Sequence, residues 1–419
     1  MKLADLNRWV LVQKKKNLMK SSKINIADIV NWKIGNKKIY NYNRSFFSIV
    51  PFRFQQNKNK FWFQPLIVQK EVGILGIIKK VHKSIDYYLL QAKVEPGNVK
   101  GIQLSPTVQA TKSNYLQKHG GKKTKYLNFF IDNKLNTKII TNLRLSEQGT
   151  RYYDKSNNNI LIDLKNKKIK KLNNFIWVTK KNLEYLLKKK NLLNMDTISV
   201  LSSSIQKNIL DTPINNSSSI IDILKDLKKR IQIKKKAISF KDLKNWRIFK
   251  NKISDIKKNF FSIFFLRIKT NSREVKEWHQ PIISDHSISF NGFLIKKKNN
   301  TNHYLLKAVQ EPGLVLPRFT TTISIKNFNY KTRNSNIRFY NFFKNRKDVI
   351  KYVNSDEGGR FYKNETHNLI RVLKENDKVF LTKNFIWVSH NQIIDLIKRD
   401  LLTIEARNLF ASFNIDKVI

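Results

Sequence analysis

The chain has 419 residues, and its 82 lysines and arginines against 30 aspartates and glutamates give a formal net charge of +52. Such a field attracts polyanions and makes nucleic acid the first partner to consider, although AT-rich codons, which favour lysine and asparagine, explain the charge equally well. The absence of cysteine excludes disulfides, thiolate zinc sites and cysteine nucleophiles.

No stretch is apolar enough to span a bilayer, because the most apolar one, residues 260–266, is far shorter than the roughly 18–20 residues required. The first residues lack the apolar run of a secretory signal and carry Asp5, an acid that transit peptides avoid. If the protein belongs to an organelle, we therefore expect it to be made there.

The chain begins with a predicted basic arm over residues 1–21, followed by a predicted β-rich domain over residues 22–194. Near its end, Ile160, Ile162 and Leu164 alternate with polar residues, a polar turn follows, and a second apolar run reaches Trp177. Alternation on both sides of a polar turn predicts a β-hairpin. A short helix is predicted next, because three leucines have helical spacing there: Leu183, Leu186 and Leu187.

Residues 195–236 have a different composition, rich in serine and asparagine, and are predicted to be a linker. Within it, Ile220, Leu224 and Leu227 keep helical spacing ahead of a run of lysines. This pattern predicts a basic amphipathic helix. We expect it to pack on a domain rather than on a membrane, since its apolar face carries no Trp or Phe.

A second β-rich domain is predicted over residues 237–404, before a tail over residues 405–419, because the chain repeats itself. Trp32 and Trp246 lie in similar segments 214 residues apart, and further matches follow in the same order. The last is Asn-Phe-Ile-Trp-Val, identical at 174–178 and 384–388. The repeat is as long as a domain that buries its own core. We predict a mainly β (α+β) protein of two homologous sandwich or barrel domains, each ending in a short helix.

Motifs for catalysis are hard to find. The histidines are scattered, and His279 with Asp285 and His286 is a poor metal set because the first copy has Phe63 in place of His279. Glu95 and Glu311 recur in both copies, but each begins a Glu-Pro-Gly turn, where a carboxylate commonly hydrogen-bonds the turn. We therefore predict no catalytic, cofactor-binding or metal-binding residue.

Candidate contacts with nucleic acid are cationic. Two arginines recur beside aromatic residues, where they either stack on a ring or bind phosphate. Trp177 and Trp387 are interpreted as core residues rather than as base-stacking platforms. The residues predicted to contact nucleic acid are Arg151, Arg360, Lys122, Lys123, Lys234, Lys235 and Lys236.

Two classes of function remain open at this point. One is a non-catalytic, nucleic-acid-associated scaffold inside a larger assembly. The other is an organelle enzyme such as an intron maturase or endonuclease, which would need clustered acids that hold metal ions. A basic ribosomal or translocon component is a third possibility. Whether the chain is an enzyme is left undecided.

The repeated blocks resemble one known family. Glu-Pro-Gly-Leu-Val-Leu-Pro at 311–317, Glu-Gly-Gly-Arg-Phe-Tyr at 357–362 and the segment 384–388 are similar to the long insertion of the β″ (beta-double-prime) subunit of plastid DNA-directed RNA polymerase. That insertion is built from tandem sandwich-barrel hybrid domains. The zinc-binding cysteines and the trigger loop of the subunit have no counterpart here.

The resemblance implies a plastid-encoded transcription protein without an active site of its own. Its partners would be the other polymerase subunits and DNA, bound through phosphates, with no membrane and no small-molecule substrate. The expected role is to support assembly and to line the DNA with positive charge.

Overall fold

A computed structural model describes residues 2–43, 46–115, 123–132, 135, 137–165, 167–326, 338–344 and 346–419. The chain is mainly β, with few helices and with its sheets in two lobes, which confirms the β-rich class predicted from the sequence. Across these ranges, none of the helices combines the length and the apolar character needed to cross a membrane.

The helices are short and separate groups of strands. Helices α1 to α8 span Leu3–Lys16, Lys112–Tyr115, Asn128–Ile131, Lys180–Lys188, Met195–Ser202, Ser217–Arg230, His390–Lys398 and Ile404–Phe413. Strands β1 to β13 span Met19–Lys23, Trp32–Ile34, Ile39–Asn41, Ser48–Gln56, Lys60–Val68, Gly73–His82, Ile85–Lys93, Gln103–Ser105, Val108–Ala110, Lys138–Ser146, Tyr152–Tyr153, Ser156–Asp163 and Phe175–Val178. Strands β14 to β25 span Ile233–Ala237, Trp246–Phe249, Lys252–Asp255, Phe261–Thr270, Glu277–Asp285, Ser289–Lys298, Thr301–Val309, Arg318–Thr320, Ile323–Ile325, Val349–Ser355, Glu365–Val372 and Phe385–Ser389.

The two halves of the chain build the same large sheet. In the first half the strand order is β10-β12-β6-β7-β13, with β8 beside β7 and β9 beside β6. In the second half the order is β23-β24-β19-β20-β25, with β21 beside β20 and β22 beside β19. The directions also agree, because β12 runs parallel to β6 and β24 runs parallel to β19. The repeated sequence therefore encodes a repeated topology.

The predicted hairpin between residues 160 and 177 is wrong. Strand β12 pairs with β6 and β10, whereas β13 pairs with β7, so the β6–β7 hairpin lies between them in the sheet. The second half repeats this arrangement with β24 and β25. Alternating side chains identify a strand with one buried face, but they do not identify the strand beside it.

Each half lends a strand to a small sheet of the other half. Strand β1 pairs antiparallel with β17, so that Met19 faces Thr270 and Lys23 faces Leu266. Strand β14 pairs in the same way with β4, so that Ile233 faces Gln56 and Ala237 faces Phe52. The offset of 214 residues also relates α1 to α6. The exchange ties the two copies together by backbone hydrogen bonds.

The tryptophans of the repeat reinforce this exchange. The Trp32 indole Nε1 donates to the carbonyl oxygen of His279 at 2.8 Å, and the Trp246 Nε1 donates to the carbonyl oxygen of Phe63 at 2.9 Å. Both indoles are buried, as is Trp387, whereas Trp177 is partly buried. A buried indole needs a partner for its N–H, and here the other copy supplies it.

Helices close the core as predicted. Leu183, Leu186 and Leu187 of α4 are buried, and Thr179 begins this helix with a capping box. Helix α7 repeats the arrangement, with a capping box at Ser389 and three buried aliphatic residues: Ile393, Leu396 and Ile397. In the predicted linker, Ile220, Leu224 and Leu227 of α6 are also buried against the common core.

Candidate active site

A cavity of about 1150 Å³ opens where the two copies meet. The first copy contributes the end of β7, the turn before β11 and the start of α5. The second copy contributes the β17–β18 loop and residues 357–361. The cavity is composite because residues 358–361 of the second copy pack against the Glu-Pro-Gly turn at residues 95–97 of the first. Several charged side chains in its walls are buried.

Glu95 lies in the wall of this cavity, and its role is not confined to its own turn. Its Oε1 is 2.9 Å from Lys93 Nζ and 3.4 Å from Arg273 Nη2, and only 6% of the residue is exposed. Burial alone raises the pKa of Glu95, but the two cations outweigh burial and lower the pKa to about 2. Glu95 is therefore a fixed negative charge.

Asp196 lies in the first turn of helix α5, in the wall of the cavity. Asn194 caps the helix by accepting a hydrogen bond from the Asp196 N–H, which fixes the position of the acid. Gln109 Nε2 donates to Asp196 Oδ2 at 2.5 Å. Burial, together with the negative charges of Glu147 and Glu95, raises the pKa of Asp196 to about 8. Near neutral pH this carboxyl is therefore present in both its protonated and its ionised form.

Lys155 is a buried lysine in the same wall. Its Nζ donates to Asn157 Oδ1 at 2.9 Å and to the carbonyl oxygen of Glu71. Burial lowers the pKa of Lys155 to about 8, although Glu147 acts in the opposite direction. An acid and an amine of matched pKa thus share one enclosed space.

Glu357 and Arg360 come from the second copy. Arg360 stacks on Phe47, with its guanidinium carbon 4.2 Å from the ring centroid, and its Nη2 donates to Gln69 Oε1 at 3.4 Å. The Glu357 carboxyl hydrogen-bonds Glu95, and burial, with the charge of Glu95 next, raises its pKa well above the usual range. The second copy therefore supplies a carboxyl group whose surroundings favour its protonated form, and a cation.

The mouth of the cavity is basic and aromatic. Arg273 lies on the β17–β18 loop, where its Nη2 donates to the carbonyl oxygen of Val94 at 2.9 Å. Lys123, Lys125 and Lys276 line the same opening. Trp278 and the exposed ring of Phe46 add flat apolar surface, and the Arg273 guanidinium carbon is 5.5 Å from the Trp278 centroid. An anionic ligand with an aromatic group suits this entrance.

The corresponding region of the second copy is filled by charged side chains from both copies. Arg151 Nη2 contacts Asp285 Oδ1 at 2.7 Å, and Lys326 Nζ contacts Glu405 Oε1 at 3.2 Å. The first copy has Thr111 at the position of Lys326. A cavity of about 40 Å³ remains beside Lys326 and Glu405. The large cavity between the copies therefore has no counterpart of similar size in the corresponding region.

A sequence model of the NDP-hexose 2,3-dehydratase family matches residues 3–203 and 217–413. The chain belongs to the NDP-hexose 2,3-dehydratase family. The two matched ranges begin at equivalent residues of α1 and α6, 214 residues apart. The family thus includes α1 and α6, the helices that precede each copy. The sequence predicts these two segments as a basic arm and as part of a linker.

Three curated bacterial proteins are similar to nearly the whole chain, and each is named dTDP-4-dehydro-6-deoxy-alpha-D-glucopyranose 2,3-dehydratase. The one from Amycolatopsis orientalis is 26% identical, over 99% of this chain and 90% of its own length. The one from Saccharopolyspora spinosa is 27% identical, over 97% and 90%. The one from Streptomyces violaceoruber is 28% identical, over 87% and 86%.

These similarities overturn the resemblance to plastid RNA polymerase. Nothing in these matches indicates a β″ subunit, and the assignments to transcription, to polymerase partners, to the DNA that such a polymerase would bind and to a plastid are wrong. The alternatives of a maturase, an endonuclease, a ribosomal protein or a translocon component find no support either. Relatives that act on a nucleotide sugar also contradict the expectation that there is no small-molecule substrate. The resemblance failed because it rested on residues of cores and turns.

The residues predicted to contact nucleic acid are not brought together. Arg151 is buried against Asp285, whereas Arg360 and Lys123 line the cavity. Lys234, Lys235 and Lys236 lie in β14, and Lys122 lies outside the described residues. Their predicted contact with nucleic acid is untested, and the polymerase for which it was predicted is wrong.

Asp196, Lys155 and Glu357 were missed in the sequence. One signal could have identified Asp196, since Asn194-Met195-Asp196 and Thr403-Ile404-Glu405 both place an acid two residues after a helix cap. His279, Asp285 and His286 form no metal site, and the described parts of the chain contain no other cluster of metal ligands.

Proposed function

We propose that the protein is a nucleotide-sugar dehydratase that removes water across C2 and C3 of a 4-keto-6-deoxyhexose joined to a nucleoside diphosphate. The observation that carries this proposal is that Asp196 and Lys155 lie in the wall of the same cavity. Each has a pKa of about 8, and both lie in a cavity large enough for a sugar. Membership of the family and the names of the relatives supply the substrate class.

The chemistry begins at C3 because the ketone at C4 acidifies the adjacent C3–H bond. A base removes this proton, and the electron pair moves onto the C4 oxygen as an enolate. The enolate then re-forms the ketone, expels the C2 hydroxyl and leaves a C2=C3 double bond. The enol at C3 can tautomerise to a 3,4-dione. The site therefore needs a base, a group that stabilises the enolate and a donor for the departing hydroxyl.

Asp196 is the group that we assign as the base. A pKa of about 8 gives its carboxylate much more proton affinity than an ordinary carboxylate has, while a useful fraction remains ionised. The Lys155 ammonium would face the C4 oxygen, where its charge stabilises the enolate in surroundings from which water is largely excluded. Glu95 is less suited to proton abstraction because its pKa is about 2.

The mouth of the cavity is suited to the nucleotide. Arg273 with Lys123, Lys125 and Lys276 would bind the diphosphate, and Trp278 or Phe46 would stack on the base. Arg273 already lies against Glu95 and Val94, so its position is fixed before the ligand arrives.

The two lobes act together in this proposal, since residues of both line the cavity. The sandwich or barrel form predicted for each lobe stays a prediction. So do the predicted domain limits of residues 22–194 and 237–404. The exchanged strands β1 and β14 lie mostly outside those limits.

The direct test is to incubate the pure protein with dTDP-4-keto-6-deoxyglucose in heavy water and to follow the sugar by NMR. We expect deuterium to exchange into C3 of the unreacted substrate, the C2 hydroxyl to be lost as water, and deuterium to enter C2 when the product enol tautomerises. If neither exchange nor elimination occurs with any 4-keto nucleotide sugar, the proposed function is wrong.

We expect kcat/KM to depend on pH as a bell with its maximum near pH 8. The rising limb reports ionisation of Asp196, which has a pKa of about 8 and is inactive while protonated. The falling limb reports loss of the Lys155 ammonium as pH rises through its pKa, also about 8. Lys155→Arg retains the charge at high pH and should move only the falling limb upward. A profile that is flat between about pH 6 and 10 would contradict these roles.

We expect Arg273→Ala to raise KM by roughly 10-fold to 100-fold with a much smaller change in kcat, because a charge-assisted hydrogen bond to the diphosphate contributes about 1.5–3 kcal/mol. Steady-state kinetics, together with the Kd for dTDP measured by calorimetry, would check this. Lys58→Ala is a suitable control, since Lys58 lies on the corresponding loop between β4 and β5, outside the cavity lining. Equal KM values for both variants would exclude Arg273 from nucleotide binding.

A further inference from the structure

Two carboxyl groups from different copies face each other in the cavity. Glu95 Oε1 is held by Lys93 and Arg273, whereas Glu95 Oε2 is enclosed and receives no hydrogen bond from any N–H or hydroxyl group of the described residues. The neighbour that hydrogen-bonds this carboxylate is the carboxyl of Glu357. Two carboxyls can form such a bond only if a proton lies between them.

The proton belongs to Glu357. Lys93 and Arg273 form ion pairs with Glu95 and hold it in its ionised form, whereas none of the ion pairs among the described residues involves the Glu357 carboxyl. The nearby charges of Arg360 and Lys93 act on Glu357 but do not outweigh its burial and the charge of Glu95. One oxygen of Glu357, Oε1, accepts a hydrogen bond from the Gly359 N–H at 3.0 Å. The other oxygen is left to carry the proton toward Glu95. Glu357 is therefore an acid whose proton is already oriented.

The duplication supplies an internal comparison. The first copy has Gln148 where the second copy has Glu357, and each residue precedes the repeated Gly-x-Arg turn. Gln148 lines both the large cavity and the small one, and its Nε2 donates to Asp356 Oδ1 at 3.0 Å. An amide cannot give up a proton in a reaction. An acid thus occupies this position in the second copy, beside Glu95, and an amide occupies it in the first copy.

We infer that Glu357 is the acid that protonates the C2 hydroxyl as it leaves, and that Glu95 holds this proton in position until that step. The inference rests on the proposed dehydration. Asp196 takes the proton from C3, and the electrons pass to the C4 oxygen. As the C4 carbonyl re-forms, the C2–O bond breaks, and the departing oxygen takes the Glu357 proton to form water. Transfer of the proton from Asp196 back to Glu357 through water restores both groups.

A leaving group that needs no proton separates this role from a structural one. The probes are dTDP-4-keto-6-deoxyglucose and its 2-deoxy-2-fluoro analogue, because fluoride leaves without an acid. For Glu357→Gln we expect the loss of water to slow by about 10²-fold to 10⁴-fold. Fluoride release and deuterium exchange at C3 should stay within a few-fold of the wild-type rates, because Asp196 and Lys155 are intact.

The second variant is Glu95→Gln, whose amide can donate to Glu357 and thereby favour the ionised form of that acid. Glu95→Gln should also slow water elimination while fluoride release and deuterium exchange at C3 continue. If Glu357→Gln does not fold, Glu95→Gln provides the test of the inference. The matched control is Glu311→Gln, the counterpart of Glu95 in the second copy, which lies outside the cavity. In Glu311→Gln, the rates of water elimination, fluoride release and deuterium exchange at C3 should all stay near the wild-type values.

Two outcomes would overturn the inference alone. One is full water elimination by Glu357→Gln. The other is an equal loss of exchange, fluoride release and water elimination in a folded Glu357→Gln protein, which would indicate a structural role. Failure of the wild-type protein to exchange C3 or to release either leaving group would overturn the proposed function as well.

Discussion

Replacing Asp196 with asparagine is expected to lower kcat/KM for dehydration by about 10²-fold to 10⁴-fold, the usual contribution of a general base. The amide keeps the shape of the side chain but cannot accept the C3 proton. Deuterium exchange at C3 should fall with turnover, since both begin with the same step. This pattern differs from the one expected for Glu357→Gln, which should retain exchange.

The stability of the Asp196→Asn protein should not fall. Burial and neighbouring acids raise the pKa of Asp196 to about 8, so the folded state binds a proton that the unfolded state releases above about pH 4. The wild-type protein therefore loses stability through this group as pH rises from about 4 to 8. In the Asp196→Asn protein this pH-dependent loss of stability does not occur. Thermal unfolding at about pH 5 and pH 8 would check this, with the exposed Asp395→Asn as the control for a charge change at the surface.

Replacing Gly97 with alanine is expected to destabilise the protein by about 3 kcal/mol or more, at the upper end of the usual cost of overpacking. An added Cβ would lie 1.7 Å from the carbonyl oxygen of Phe361 and 2.9 Å from that of Gly358. The neighbouring atoms are backbone, and the Gly97 N–H donates to the Gly358 carbonyl oxygen at 2.7 Å. The turn therefore has to move away from the second copy. Denaturant unfolding measures the loss.

Gly313→Ala is the equivalent change on the other side, where the Cβ would lie 1.7 Å from the carbonyl oxygen of Tyr152. We expect a similar loss of stability. Only Gly97→Ala should also reduce kcat in the protein that remains folded, because it displaces Glu95 from Glu357. Gly35→Ala is the control, since its Cβ would have only ordinary contacts at 3.5 Å. Near-normal stability of Gly97→Ala would show that the two copies do not interlock as described.

Periodicity in the sequence predicted much of the local structure. Helices α4 and α7 form where apolar residues have helical spacing, and α6 packs by the apolar face that was predicted for it. Strand pairing could not be predicted in the same way. Alternation in β12 and in β13 specifies a buried face for each strand, whereas their partners are set by packing of the complete sheet.

The candidate site was harder to predict than the fold. Glu95 was interpreted as a turn residue because its nearest neighbours in sequence form a turn, and Arg273 and Glu357 approach it from far along the chain. Asp196 lies in the first turn of a helix, where an acid also occurs for purely electrostatic reasons. The chemical character of these carboxyls arises from burial and from charges of the second copy, which no local pattern contains.

The exchange of β1 and β14 has a consequence for how the chain is made. When the ribosome has completed the first copy, one edge of β4 is still unpaired because residues 233–237 have not been made. Strand β1 is also unpaired because residues 266–270 have not been made. Backbone groups on both edges must stay hydrogen-bonded to water or bound by a chaperone until these later residues emerge. Neither half forms an independent early folding unit, so the cavity cannot appear before synthesis is nearly complete. A gene cut near the exposed Ile209 should yield two pieces that fold only when they are produced together.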